Sequence, residues 1–133
     1  MEIESVKIAC LRGTDEEIQQ LKDIAQRMHD SKDEEEQIRL DIEFHNTLIK
    51  NTNNILFEMI ADSISGLMEL FIKGIREIYN KDKEEMKEYY FVDQHMNVVE
   101  AIIDRDPDKA VEILSEHLRL TDEDLRYLDP DLK

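Results

Sequence analysis

The chain is poor in the residues that punctuate folds. Its 133 residues include three glycines, two prolines, one cysteine and no tryptophan. A sandwich or barrel of short strands needs many turn residues, and this chain lacks them. Gly13, Gly66 and Gly74 stand too far apart to build a phosphate-cradling loop. Cys10 has no internal partner for a disulfide, which fits a reducing compartment. There is no apolar run long enough to span a bilayer and no apolar signal stretch at the start, so a cytoplasmic protein is expected. Basic residues are scarce too: 17 against 33 acidic ones, for a net charge of −16. Charge of that sign repels phosphate backbones and anionic lipid, so this chain is not expected to bind nucleic acid or membranes directly. What remains is a 41% hydrophobic set, too regularly spaced for a disordered acidic tail. The length suits one domain spanning 1–133.

Helix signals recur along the whole chain. A short first segment, Glu2 to Leu11, is expected to stop at Gly13 in the manner of a C-terminal glycine. Thr14 and Glu17 form a capping box. Ile18, Leu21, Ala25 and Met28 then make one apolar stripe at helical spacing. Ser31 and Glu34 repeat the capping-box pattern before a helix bearing Ile38, Ile42, Leu48 and Ile49. Asn54 is a candidate cap for the longest helix, whose stripe runs Ile55, Met59, Ile60, Ile64, Leu67, Phe71, Ile75 and Ile78 to about Tyr79. A turn is expected at Asn80 to Asp82, with Asp82 and Glu85 as a further cap. Tyr89, Val92, Met96, Val99, Ile102 and Ile103 mark the next helix. Asp106-Pro107 restarts the last one, because proline at the first helical position gives up no needed N–H. That helix carries Ala110, Ile113, Leu114, Leu118, Leu125 and Leu128 and stops before Pro130. The fold class is all-α: an antiparallel bundle of five to six helices, up to seven.

Four polar residues break the apolar pattern. His45 lies in the stripe at 38, 42, 45, 48 and 49, and Asp41 is one turn earlier on the same side. His95 falls between Val92 and Val99, and His117 between Ile113 and Thr121. A lone histidine on such a stripe is ordinarily a packed core residue. An isolated buried aspartate is costly unless paired or bound to a cation. Were the stripes to face one interior, Asp41, His45, His95 and His117 would meet as a first shell for a divalent transition metal, zinc first, then nickel, cobalt or manganese. His29, at the end of its helix, suits a capping role near a helix C-terminus. No Glu-x-x-His pair, HExxH motif or nucleophile elbow occurs. Glu43 and Glu100 are the only acids near the stripes, and both fall off the apolar face. That leaves a water-activating metalloenzyme without an evident base. A structural helical interaction module, with the histidines simply packed in the core, stays open at this point.

The run Asp41-Ile-Glu-Phe-His45, then Asn54 before an apolar helix, Gln94-His95 leading to Val99-Glu-Ala-Ile102, Asp106-Pro-Asp-Lys-Ala110 and Glu116-His117-Leu118 resembles the FCD domain. That is the C-terminal effector-binding domain of FadR-type regulators in the GntR superfamily. Gln94 stands where the family pattern has Glu, and no Gly precedes Asp106. The resemblance, from about Glu2 to Leu128, implies a helical bundle enclosing a metal held by Asp41, His45, His95 and His117. It also implies a small organic acid as effector, a homodimer, and a role in transcription regulation without catalysis. DNA would be contacted only through a winged helix-turn-helix domain not contained in this chain, which is then either an excised or a stand-alone domain. Asn97, Ser63, Lys73 and Arg76 are candidate effector contacts, though each reads more readily as an exposed helix residue.

Overall fold

In a computed structural model the chain forms six α-helices, with no strand among the described residues. The structure describes residues 1–82 and 85–128, with side chains for 1–74, 77 and 94–119. The helices are α1 (Glu2–Arg12), α2 (Asp15–Asp30), α3 (Glu34–Lys50), α4 (Ile55–Asp82), α5 (Glu85–Ile103) and α6 (Pro107–Leu128). The packed neighbours α2 and α3, α3 and α4, and α5 and α6 follow one another through short connections, as in an antiparallel bundle.

The helix boundaries follow side-chain chemistry. Thr14 and Glu17 form the expected reciprocal capping box at the start of α2. Asn54 Oδ1 accepts from the backbone N–H groups of Leu56 and Phe57, and Asp106 Oδ1 from that of Lys109. Ser31 and Glu34, however, do not form a box. Asp33 caps α3 by accepting from Glu35 N–H, and Ser31 instead ends α2. A carboxylate next to the helix start is the stronger acceptor for its free N–H groups. Gly13 does follow α1, but at φ −59°, outside the left-handed region of a typical glycine stop. Glycine is needed there because a Cβ would lie 2.4 Å from the Ala9 carbonyl oxygen. The left-handed position after α5 is taken by Arg105, at φ 54°. Its guanidinium donates to the carbonyls of Ala9 and Cys10, satisfying the end of α1. The expected turn at Asn80 to Asp82 is also corrected, since α4 stays helical through Asp82. Whether Asp82 and Glu85 form a cap turns on residues 83–84, which lie outside the described residues.

Helix α3 packs against α1, α2 and α4, so more than one of its sides is covered. That is why Leu40 and Phe44 are buried beside Ile38, Leu48 and Ile49. Val6 from α1, Leu21, Ala25 and Met28 from α2, Val98, Val99 and Ile102 from α5, and Ala110 and Leu114 from α6 complete the core. Each fully buried large side chain of this kind contributes about 1.5–3 kcal/mol of transfer free energy. Two stripe readings need correction. Ile103 is exposed, because it points away from the core while Ala101 and Ile102 of the same turn are fully buried. On α4 the expected stripe residues Ile55, Met59, Ile60, Ile64 and Leu67 are exposed, and Ala61 is the buried contact. This helix is apolar on two sides, and spacing alone does not say which side meets α3. Ile75, Ile78, Tyr89, Val92, Leu125 and Leu128 lie outside the described side chains.

Candidate metal centre

Three helices bring the polar residues together. Asp41 and His45 face inward from successive turns of α3, His95 from α5 and His117 from α6, and all four are buried. One ligand atom from each lies within 4.8 Å of the others. His95 Nε2 is 2.9 Å from Asp41 Oδ1, His45 Nε2 is 3.2 Å from the same oxygen, and the two Nε2 atoms are 3.3 Å apart. Adjacent ligands around an ion bound at about 2.1 Å lie roughly 3.0–3.4 Å apart, so this spacing is that of a small coordination shell. The rings are mutually packed: His45 stacks on His117 with centroids 5.5 Å apart, and His95 meets His117 edge-on at 4.9 Å. Phe44 sets its ring against both His45 and His95, at 5.7 and 5.0 Å, closing the apolar wall on that side.

The outer nitrogens are held as well. His117 Nδ1 donates to Gln94 Oε1 at 2.6 Å, which makes Nε2 the acceptor nitrogen of the neutral ring. His45 Nδ1 meets the carboxylate of Glu2, brought in by the first turn of α1. A metal-binding histidine ordinarily donates its second ring N–H to a carboxylate or carbonyl, which fixes its tautomer and orientation. The pattern here is of that kind, and the donor set of one carboxylate and three imidazoles fits a divalent transition ion. Glu2 is the residue that the sequence reading missed. It is an acid beside the site, whereas Glu43 and Glu100 are exposed as expected. Its position looks like an ordinary acidic helix start, and only the packing of α1 on α3 reveals it.

Burial and mutual charge set the protonation of the cluster. Burial alone would raise the Asp41 carboxyl, but the pull of His95 and the hydrogen bonds from His45 and His95 outweigh it and hold it well below its usual 3.8. Burial would lower His45, yet Glu2 and Asp41 together raise it well above 6.5. Glu2 is itself lowered from 4.5, because the charge and hydrogen bond of His45 exceed the cost of burial. Burial, then the neighbouring His95 and His45, push His117 down to about 3, so it is neutral and ready to ligate.

The remaining candidates lie elsewhere. Ser63 is exposed on α4 and donates to the Met59 carbonyl, Lys73 pairs with Glu69 on the same helix, and Asn97 is exposed on α5. The Arg76 side chain lies outside the described residues. His29 is exposed in the last turn of α2, and Cys10 is a buried free thiol. No helix among the described residues is long and apolar enough to cross a membrane.

Among the described residues, the helices pack into a bundle that holds one buried Asp/His3 cluster. The FCD domain family matches residues 1–120, and the chain belongs to that family. FCD domains are regulatory, effector-binding parts of GntR-type proteins. No curated protein matches the chain.

Proposed function

We propose that this chain is the ligand-sensing domain of a FadR-type transcription regulator, with a divalent transition metal held by Asp41, His45, His95 and His117. The single observation that carries the reading is the convergence of those four buried donors with the outer nitrogens of two of them already engaged. Bound there, the ion would supply open coordination positions for the carboxylate of a small organic acid, displacing water. Zinc suits the donor set best, and nickel, cobalt or manganese would also be accommodated. The protein's own residues do the rest. Glu2 and Gln94 aim the imidazoles, Phe44 excludes water from one side, and His45, raised above its usual value, would release its proton to solvent as an ion bound. The effector is assigned to the metal, and no contact is assigned to Ser63, Asn97, Lys73 or Arg76.

An effector can shift the bundle only through different affinity for its two states. The domain works as a homodimer whose change in shape is passed to DNA-reading domains. With a charge of −16 the chain itself contributes no phosphate contact. The reading as sensor rather than enzyme is supported by Glu2. It is the acid beside the cluster, but it is committed to His45 and lowered in pKa, so it is a poor general base. The test is metal analysis of the purified chain joined to a thermal-shift screen of small carboxylates. Metal-dependent stabilisation by one class of acid is expected. A metal-loaded protein that ignores every carboxylate, or that hydrolyses test esters with a rate lost on Glu2→Gln, contradicts it.

A further inference from the structure

Two imidazoles of the cluster are braced by different chemistry. His45 Nδ1 meets a carboxylate, that of Glu2 from α1, whereas His117 Nδ1 donates to an amide, that of Gln94 from α5. Gln94 is 5% exposed and directly precedes His95, so one short stretch of α5 supplies both a donor to the centre and the group behind another donor. A glutamate has the same reach, and its carboxylate would accept the His117 hydrogen bond more strongly. Bracing alone therefore does not call for an amide. What separates the two side chains is one negative charge at a buried position.

That charge counts, because little else at the site offsets it. Among the described residues Asp41 pairs with His45 and His95, and Glu2 with His45; neither pairs with a lysine or arginine. These two carboxylates and three neutral imidazoles together balance one divalent ion, so a loaded centre is neutral as a whole. An incoming carboxylate adds one negative charge to it. With an acid behind His117 the centre would already be negative, and like charges at buried sites repel strongly. A carboxylate brace would also make His117 the more basic ligand, leaving the ion less attraction for a further anion. We propose that Gln94 is the residue that sets the anion affinity of the centre: its amide orients His117 while withholding a negative charge, which keeps the loaded centre able to accept a carboxylate. This rests on the metal and organic-acid reading above and adds the residue that governs the second step. It also implies opposite effects of Gln94 on the two ligands, since added charge there would favour the cation and disfavour the anion.

The test uses the full chain loaded with cobalt, whose visible absorption reports both uptake and a change of ligand, and acetate as the anionic probe. Cobalt affinity is read by competition against a chelating dye, and acetate affinity by titration at saturating cobalt. Gln94→Glu is expected to bind cobalt about tenfold more tightly and acetate about tenfold more weakly than wild type. Glu2→Gln removes a charge from the other brace, and it should bind acetate about tenfold more tightly although it holds cobalt more weakly. Moving the charge from one brace to the other, in Glu2→Gln/Gln94→Glu, should return acetate affinity to within about threefold of wild type. A brace that only positions the ring would not move the two affinities in opposite directions. Acetate affinity that is unchanged in Gln94→Glu, or that is not raised in Glu2→Gln, overturns the proposal; should Gln94→Glu fail to fold, Glu2→Gln decides alone. A wild type that takes up no cobalt refutes the metal reading, and one that takes up cobalt but ignores acetate refutes the organic-acid reading; the proposal falls with either. A wild type that responds to both, with variants that show no opposed shifts, refutes the role of Gln94 alone.

Discussion

Gln94 Oε1 accepts a 2.6 Å hydrogen bond from His117 Nδ1, joining two buried residues of α5 and α6. The bond determines which nitrogen of His117 turns to the cluster. It also means that His95 and the residue before it serve the same site in different ways, one as a donor to the centre and one as a brace. Glu2 does the same for His45 from a third direction.

The braces lead to the first prediction. Glu2→Gln and Gln94→Ala should each weaken metal binding by about 10–100-fold, while helical content is retained. Competition against a chelating dye measures this directly. Variants with wild-type affinity would show that the two contacts are only structural.

Removing a ligand should be more severe. His95→Ala or His117→Ala should abolish stoichiometric metal and eliminate the metal-dependent rise in Tm, because the ion's binding free energy is coupled to folding. Elemental analysis after gel filtration checks the first effect and scanning calorimetry the second. If both variants retain the ion, the ligand assignment fails.

The pH dependence follows from the shifts. In metal-free chain His45 lies well above 6.5, so its pairing with Glu2 and Asp41 stabilises the fold fully below pH 6.5 and is lost as pH rises through the raised value. Asp41 and Glu2 are lowered, so their contribution is present above 3.8 and 4.5 and is lost as pH falls through the lowered values. His117, at about 3, is neutral when folded. Its protonation therefore opposes folding, and stability rises with pH between about 3 and 6.5. Urea midpoints in the presence of chelator should be highest near and just above pH 6.5 and fall on either side. Metal affinity should rise with pH as His45 releases its proton, which calorimetry in two buffers of different ionisation heat detects. Affinity that does not vary from pH 6 to 8 would contradict the protonation scheme.

Phe44 links core and site. Its ring is fully buried and packs edge-on against His45 and His95. Phe44→Ala should cost about 3–5 kcal/mol in denaturant unfolding and also weaken metal binding. A cost below about 1 kcal/mol would mean that the cluster does not depend on this wall.

Much of this was legible in the sequence, for definite reasons. The capping chemistry at Thr14, Asn54 and Asp106 is local, so it was readable. Asp41 and His45 share a face because helical geometry requires it, and His95 and His117 lie on inward stripes. Glu2 was not legible, since its role depends on α1 crossing α3, and an acid in a first helical turn is ordinary. The phase of α4 was not legible either, because apolar residues occupy two of its sides and spacing cannot choose between them. The stop after α1 was misread for a related reason: Gly13 is required by a close approach to Ala9, not by a left-handed backbone.

The central claim is that Asp41, His45, His95 and His117 hold a metal. Elemental analysis of the purified chain, paired with Tm before and after chelator, tests it most directly. The account predicts one divalent transition ion per chain and a Tm that falls by roughly 10 °C on its removal, as expected for an ion present at about 100 times its Kd. A metal-free chain that melts at the same temperature with and without added zinc, nickel, cobalt or manganese would contradict it.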